Sequence, residues 1–266
     1  MHSIDAAYSE KSTGNITVKP DAIDDLAPRD IESYPFSDPT LKMNVGIAIP
    51  ALNEEKNISY VLNVLNSIGF GNILVIDGAS EDETLKVATE QGAKVVHQSG
   101  RGKGQAIRQV LNKDYLNSDA LVLMDADGSM APEEVPRFVE ALRLGADVVK
   151  GSRFMSGGGS HDMTPVRRFG NTCMTTMVNL LCRAQYTDLC YGFVAFNRKA
   201  IAALAPVLET SNFEIETEVF IKAQKLGLKV VEIPSFEYRR RNGKSNLKTV
   251  SDGYKIIKTI LSASFS

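Results

Sequence analysis

Two aspartates separated by one residue follow a short apolar run, in the segment Leu121-Val-Leu-Met-Asp125-Ala-Asp127-Gly-Ser129. Carboxylates at the end of a buried strand can converge on one divalent cation, and oxygen ligands favour Mg²⁺ or Mn²⁺. Such a cation would bridge to a diphosphate group. The alternative is an Asx turn that caps the next helix, because Asp is also common in turns. The pattern by itself leaves both interpretations open.

Further polar residues follow neighbouring apolar runs at comparable places. Asn53 and Glu54 come after the first apolar run of the chain, and Asp77 follows the second. Lys103 lies between two glycines, immediately before a predicted helix. In parallel sheets, ligands bind at the carboxyl ends of the strands, near the point where the strand order reverses. These positions therefore predict one binding site at a single edge of a sheet.

Apolar runs alternate with amphipathic stretches through the first half of the chain. Asn53 fits the N-cap of the first helix, and Pro132 fits the first turn of a later one. Strands that alternate with helices predict an α/β fold with a mostly parallel sheet and helices on both faces. The predicted strands lie near residues 45–49, 73–76, 94–96, 121–124 and 148–150.

The alternation becomes less regular after Gly151, which predicts a mixed arrangement in the second half. Strands are expected near residues 193–196 and 230–233, and helices near 166–183, 216–226 and from 251 onward. We therefore treat residues 44–266 as one domain with two halves, 44–151 and 152–266. Residues 1–43 are polar and acidic without clear periodicity, which predicts a disordered tail or an arm lying on the domain.

Composition and charge exclude several classes of protein. The 266 residues are 43% hydrophobic and 23% charged, which excludes a collagen, a coiled coil and a wholly disordered chain. The net charge of -2 argues against a nucleic-acid binder, which needs a basic face. No apolar run reaches the roughly 18 residues of a membrane span, and no signal peptide is recognisable. The spacing of the cysteines fits neither a zinc nor a redox motif, so we expect reduced thiols and a cytoplasmic location.

The order of these motifs resembles the family 2 glycosyltransferases of the GT-A fold. The likeness is greatest to the polyprenyl-phosphate sugar synthases, of the dolichol-phosphate mannose or glucose type, and covers residues 44–261. It implies a nucleotide-sugar half at 44–151 and an acceptor half at 152–266. The segments that carry it, besides the aspartate pair, are Pro50-Ala-Leu-Asn53-Glu54-Glu55, Val75-Ile76-Asp77-Gly78-Ala-Ser80 and Gly102-Lys103-Gly104-Gln-Ala-Ile107.

The resemblance implies how a UDP- or GDP-sugar donor binds. It places Asp125 and Ala126 beside the ribose and phosphates, and makes Asp127 the principal ligand of Mg²⁺ or Mn²⁺. Ser129 occupies the place of a frequent Gln ligand. The remaining nucleotide contacts, whose acidic members can accept hydrogen bonds from base or ribose, are assigned to Pro50, Leu52, Asn53, Glu54, Ile76 and Asp77.

The implied reaction is a displacement with inversion at the anomeric carbon of a hexose or N-acetylhexosamine. A metal ion and fixed cations stabilise the departing diphosphate, and Lys103 and Arg153 are the first candidates for such cations. The basic loop around residue 240 predicts a mobile lid over phosphate groups and resembles the family's Arg-x-x-Gly-x-Ser-Lys-Leu loop. Arg240 matches the family arginine, with Arg241 as a close rival, and Asn246 replaces the usual Lys. Ordinary surface charge is the alternative for each cation.

The acceptor-side signals are compatible with two classes of acceptor. Asp188 matches a family Asp-x-x-x-Gly-Phe segment, and Glu214 and Glu216 match a second acceptor-side motif. A polyprenyl phosphate is already an anion and needs little help from a base. A soluble hydroxyl acceptor, such as a secondary metabolite or a small acid, would need one of these carboxylates as base. The last helix combines an apolar stripe with Lys255 and Lys258, which predicts packing on the domain or peripheral contact with an anionic membrane.

A nucleotidyltransferase or a non-catalytic nucleotide-sugar-binding domain is the remaining alternative, since similar sheets serve both. Nucleotidyltransferases usually place a Gly-rich loop with Arg or Lys directly after the first strand. Here that position holds Ala51-Leu-Asn-Glu54, which favours the glycosyltransferase.

Overall fold

A seven-stranded, mostly parallel sheet forms the centre of the structure. The computed structural model describes residues 43–243 and 249–265, and for residues 249 and 250 it describes the backbone alone. The strands of this sheet are β1 (Val45–Ala51), β2 (Ile73–Asp77), β3 (Lys94–His97), β4 (Ala120–Leu123), β5 (Val148–Ser152), β7 (Val194–Asn197) and β8 (Val230–Pro234). Two short strands, β6 (Gly159–Ser160) and β9 (Phe236–Glu237), form a separate two-stranded sheet.

Helices cover both faces of this sheet. A short 3₁₀ helix, Pro132–Glu134, leads into one of them. The helices are α1 (Glu55–Ser67), α2 (Thr84–Glu90), α3 (Lys103–Asn112), α4 (Val135–Arg143), α5 (Pro165–Cys182), α6 (Arg198–Leu204), α7 (Ile215–Lys225) and α8 (Thr249–Phe265).

The strand order is β3-β2-β1-β4-β7-β5-β8. All neighbouring pairs are parallel except those of β7, which runs antiparallel to both β4 and β5. The order reverses between β1 and β4, so the loops that follow these two strands flank the same crevice. In the β1–β2 pair, Ala51 lies opposite Asp77, which brings the segments after both strands to one edge of the sheet.

Apart from the edge strand β3, the strands of the seven-stranded sheet are buried on both faces because apolar side chains point to both sides. On one face, Ile47 and Ile49 pack with Leu62 of α1 and Phe138 of α4. On the other face, alternate strand residues such as Leu74 pack with residues of α3, α6, α7 and α8. Burial of both faces is typical of parallel sheets and fixes the register, since a slip of one residue would exchange the two faces.

The predicted α/β class with a mostly parallel sheet is confirmed, and the antiparallel β7 gives the mixed second half. The prediction that Asn53 caps the first helix is wrong. Asn53 has a left-handed backbone, with φ of 56°, and the N-cap is Glu54. The backbone N–H groups that begin α1 instead find acceptors after β2: Thr84, the first residue of α2, for Glu54, and Asp82 of the preceding loop for Glu55.

Several predictions fall outside the described residues. The predicted tail does so except for Met43, and so do Lys244, Ser245, Asn246, Leu247 and Lys248 of the basic loop. Within the two described ranges, the helices are too short or too polar to cross a bilayer.

Candidate active site

Glu54 is held at the carboxyl end of β1 by the loop that follows β2. Its backbone N–H donates to Thr84 Oγ1 at 2.8 Å, and Asn53 Oδ1 accepts from the backbone N–H of Glu81. The Glu54 side chain is buried, and its Oε2 accepts a hydrogen bond of 2.6 Å from Asn57 Nδ2. Its second oxygen, Oε1, contacts a guanidinium nitrogen of Arg240. Glu54 is therefore a fixed acceptor with one oxygen directed at a cation.

Asp77 is used by the loop that it begins. Its two carboxylate oxygens accept the backbone N–H groups of Ala79 and Ser80, each at 3.1 Å. His97 Nδ1 lies 3.4 Å from Asp77 Oδ2, and the Asp77 side chain is almost fully buried. These contacts leave Asp77 mainly a structural role in the loop, with little carboxylate surface for a ligand.

The other predicted nucleotide residues differ in what they expose. Leu52 is 43% exposed and offers an apolar side chain, and Pro50 is half-buried. Ile76 and Ala126 are buried in the apolar core, so only their backbone groups can reach a ligand.

Lys103 joins the two halves of the site. Its ammonium lies 2.5 Å from Asp125 Oδ1 and 2.7 Å from Glu216 Oε1. Burial opposes its charge, but the carboxylates of Asp125 and Glu216 hold the pKa of Lys103 above its usual range. The glycine before it has to lack a side chain, because a β-carbon on Gly102 would lie 2.3 Å from the carbonyl oxygen of Ser211. Lys103 is therefore a cation in a fixed position, which is set by the close packing of α3 on the loop before α7.

Asp127 lies under the basic loop. Its Oδ1 accepts the backbone N–H of Ser129 at 2.9 Å, and its Oδ2 lies 3.5 Å from a guanidinium nitrogen of Arg240. Burial, and after it the nearby charge of Asp125, raises the pKa of Asp127 above its ordinary value. Arg240 in turn is partly buried, which lowers the pKa of its guanidinium.

The segment from Glu237 to Gly243 contacts both Glu54 and Asp127 through Arg240. The backbone N–H of Tyr238 donates to the Ser129 carbonyl at 2.8 Å, and that of Arg241 donates to the Asp127 carbonyl at 3.3 Å. The Arg241 guanidinium stacks 3.4 Å from the ring centroid of Tyr60. The described part of the predicted lid thus rests directly on the aspartate segment.

Arg153 and Asp188 form a buried bidentate ion pair. Arg153 Nε and Nη2 donate to the two Asp188 oxygens at 2.7 and 3.0 Å. Arg153 also donates to Glu237 Oε2 at 3.1 Å and to the Cys190 carbonyl at 2.7 Å. Burial opposes the charge of Asp188, but the adjacent Arg153 lowers its pKa below the ordinary value. Arg153, predicted to face the diphosphate, has its donors engaged within the protein.

A second buried ion pair was not predicted from the sequence. Lys150 and Glu232 occupy partner positions on β5 and β8. Lys150 Nζ lies 3.6 Å from Glu232 Oε1, and the Lys150 side chain has no exposed surface. Glu232 accepts the backbone N–H groups of Thr187 and Asp188 at 2.7 and 3.3 Å, so it holds the loop that carries Asp188. Burial raises the pKa of Glu232, although Lys150 lowers it. Opposite charges inside two apolar strands were the available signal.

The acceptor-side carboxylates have three different environments. Glu216 pairs with Lys103, and Glu218 accepts the backbone N–H groups of Glu209 and Thr210. Glu214 is buried, and its Oε2 has no hydrogen-bond partner among the described residues.

Oxygen ligands and excess negative charge make the site suitable for a divalent cation. No three His, Cys, Asp or Glu side chains in residues 43–243 and 249–265 converge as a ready metal site. The donor set of Asp125, Asp127 and Ser129 nevertheless fits Mg²⁺ or Mn²⁺, which commonly use one or two carboxylates plus substrate phosphates. The ion pairs that involve Asp125 and Asp127 contain two cations, Lys103 and Arg240, and four carboxylates, Glu54, Asp125, Asp127 and Glu216.

Comparisons with known proteins agree with the architecture and the motifs. Crystalline glucosyl-3-phosphoglycerate synthase from Mycobacterium tuberculosis, in complex with Mn²⁺, UDP and phosphoglyceric acid, superposes with a TM-score of 0.67 at 20% identity over 84% of this chain and 78% of that chain. The predicted GT-A fold is thereby confirmed.

Sequence relatives include the glycosyltransferase AglJ of Haloferax volcanii, 34% identical over 79% of this chain and 68% of the relative. The UDP-N-acetylglucosamine–dolichyl-phosphate N-acetylglucosaminyltransferase of Methanococcus voltae is 28% identical over 81% of this chain and 94% of the relative. Residues 46–204 match the family model described as glycosyl transferase family 2. On these grounds the chain is a glycosyltransferase that belongs to family 2.

Proposed function

We propose that the protein is a metal-dependent inverting glycosyltransferase that moves a hexose or N-acetylhexosamine from a UDP- or GDP-sugar to a polyprenyl phosphate. The observation that carries this proposal is the cluster at the carboxyl edge of β1 and β4. There Glu54 and Asp127 share one guanidinium, and Asp125 shares an ammonium with Glu216. The dolichyl-phosphate acceptor and UDP-sugar named for the Methanococcus voltae relative support the same substrate classes here.

The donor would lie along the crevice between the ends of β1 and β4. Leu52 and the Glu54 carboxylate would contact the nucleoside, and Ile76 and Ala126 would contribute backbone groups. Asp125, Asp127 and Ser129 would hold Mg²⁺ or Mn²⁺, which supplies charge neutralisation of the diphosphate leaving group. Lys103 would keep Asp125 in place.

The transfer step needs an oxygen nucleophile and a stabilised leaving group. An oxygen of the acceptor phosphate forms a bond to the anomeric carbon. The bond from that carbon to the diphosphate breaks, and its electron pair leaves with the nucleoside diphosphate. Arg240 and Arg241 would stabilise the added charge, because fixed cations at a developing anion lower the barrier without rearrangement.

A phosphate acceptor also fits the protonation state of Asp188. The Arg153 pair lowers the pKa of Asp188 and occupies both of its oxygens, which makes Asp188 a poor general base. Arg153 and Asp188 would instead shape the acceptor side. A hydroxyl acceptor would require another base, and Glu214 is a buried acceptor-side carboxylate whose Oε2 has no hydrogen-bond partner among the described residues.

An apolar surface on α5 and α8 supports a lipid-linked acceptor. These helices contact each other, with Cys182 Sγ 3.3 Å from Ser264 Oγ. Ile260 of the predicted stripe is buried, while Tyr254 is 71% exposed. Other large apolar side chains exposed on the two helices are Val166, Phe169, Leu180, Leu181, Ile257, Leu261 and Phe265. Apolar groups beside basic residues bind anionic membrane surfaces, so we propose peripheral contact with a membrane from the cytoplasmic side.

A partition assay tests the function. The protein is incubated with radiolabelled UDP- and GDP-sugars, Mn²⁺ and polyprenyl phosphate, and label in the organic phase is counted. Asp127→Asn is expected to lose at least about 100-fold in rate, since loss of one electrostatic contact at the leaving group can cost this much. Asp162→Asn, an exposed acid paired with Arg167, is the control. Label transferred only to soluble hydroxyl compounds would replace the lipid acceptor, and no transfer from any donor would contradict the proposal.

A further inference from the structure

Arg240 occupies the two acids that the donor and its cation are proposed to use. One guanidinium nitrogen contacts Glu54 Oε1, and another lies 3.5 Å from Asp127 Oδ2. The third nitrogen, Nε, donates to the Asn242 carbonyl at 3.0 Å. Arg240 is thus a shared counter-ion, and its position is set by its own loop.

The loop is anchored to the elements on both sides of the site. Asn242 Nδ2 donates to Asn57 Oδ1 at 3.0 Å, and Asn57 Nδ2 donates to the Asn242 carbonyl at 3.2 Å, which ties the loop to α1. The backbone of Arg241 bonds to the Asp127 carbonyl, and its guanidinium stacks on Tyr60. The guanidinium of Arg240 is therefore delivered to Glu54 and Asp127 by a segment with fixed contacts.

A divalent cation and Arg240 compete for the same carboxylate. Asp127 Oδ1 accepts the backbone N–H of Ser129 and Oδ2 faces Arg240, so a metal ion bound at Oδ2 would lie beside the guanidinium. Asp125 is likewise held by Lys103. A cation bound at Asp127 Oδ2 would meet a like charge at short range, in a partly buried place where screening by water is weak. Without a nucleotide, Arg240 therefore weakens the binding of a divalent cation at Asp127.

We infer that Arg240 is an exchangeable counter-ion which leaves Asp127 for the phosphates of the nucleotide, so that the divalent cation binds together with the diphosphate and not before it. A diphosphate offers the guanidinium bidentate oxygen acceptors in place of the carboxylate, and its oxygens complete the coordination of the metal ion. This inference rests on the proposed donor site, but it concerns the order of binding, which is independent of the acceptor and of turnover.

Calorimetric titration with Mn²⁺ alone tests the inference. Arg240→Gln is expected to bind Mn²⁺ at least tenfold more tightly than the unmodified protein in the absence of nucleotide. Arg239→Gln, an exposed neighbour with the same change of charge, is the matched control and is expected to leave the affinity unchanged. Arg240→Lys keeps a cation without the planar guanidinium, and its Mn²⁺ affinity is expected to lie between those of the unmodified protein and Arg240→Gln. Thermal unfolding of each variant establishes that it is folded.

A second titration includes UDP or GDP. The nucleotide is expected to raise the Mn²⁺ affinity of the unmodified protein at least tenfold, and to raise that of Arg240→Gln by a smaller factor. Equal Mn²⁺ affinities of the unmodified protein and Arg240→Gln, or no Mn²⁺ binding to Arg240→Gln, would overturn the inference. Neither titration requires sugar transfer, so failure of the proposed function in the partition assay is a separate result.

Discussion

Replacement of Lys103 by Met is expected to destabilise the protein through the acids that it leaves behind. Met keeps an unbranched apolar stem but removes the ammonium that lies 2.5 Å from Asp125 and 2.7 Å from Glu216. Two carboxylates would then share a partly buried place without a cation. Removing one partner of a buried ion pair costs about 3–5 kcal/mol. Because Asp125 is 30% exposed, we expect the lower end of that range, near 3 kcal/mol.

Urea unfolding measures this loss. With a slope of about 3 kcal/mol per molar urea, the midpoint of the Lys103→Met variant should fall by about 1 M. Lys113→Met, at an exposed position just after the same helix, should change the free energy of unfolding by less than about 0.5 kcal/mol. The double variant Lys103→Met/Glu216→Gln removes one of the two unpaired charges and should recover about 1 kcal/mol or more.

Two results would refute this reasoning. The first is a midpoint for Lys103→Met that falls no further than that of Lys113→Met. The second is additivity: relative to Lys103→Met, the double variant loses as much free energy of unfolding as the single variant Glu216→Gln loses relative to the unmodified protein. Either result would mean that Lys103 does not neutralise these acids.

Three further predictions follow from contacts in and around the site. Gly192→Ala places a β-carbon 2.6 Å from Glu216 Oε1, and urea unfolding should show a loss of about 1–3 kcal/mol. Asp188 has a pKa lowered by Arg153 against the effect of burial. Its stabilising contribution is therefore complete above the unfolded-state pKa of about 3.9 and is lost as the pH falls through the folded-state pKa. Urea unfolding at decreasing pH should show that the difference in the free energy of unfolding between the unmodified protein and Asp188→Asn becomes smaller. Leu261→Asp should reduce co-sedimentation with anionic vesicles, with neutral vesicles as control; unchanged binding would exclude α8 as the contact.

The sequence predicted the order of the elements better than their local contacts. Short apolar runs identified the strands near the site, because burial of both faces leaves a strong pattern, and helical periodicity identified the helices between them. Asn53 was misassigned because the acceptors for the first turn of α1 come from Asp82 and Thr84, well over twenty residues away in the chain. Capping rules describe neighbours in sequence, and here a tertiary contact supplies the cap.

The partners of charged residues were the part that the sequence did not reveal. The motifs identified Lys103, Arg153 and Arg240 as candidate cations, but each is already paired with carboxylates from distant segments. Such pairing depends on which loops meet at the sheet edge, and spacing along the chain does not encode it. The Lys150–Glu232 pair was missed for the same reason, since its members lie more than eighty residues apart and meet only through the β5–β8 register.

Nucleotide binding with and without a divalent cation is the most direct test of the central claim, that the Asp125–Asp127 segment binds the donor diphosphate through a metal ion. UDP and GDP are titrated calorimetrically into the protein in Mn²⁺, and again in excess EDTA. We predict that at least one nucleotide binds in Mn²⁺, and that its affinity falls at least tenfold in EDTA and in Asp127→Asn. Equal affinity with and without the cation, or full affinity in Asp127→Asn, would contradict the account.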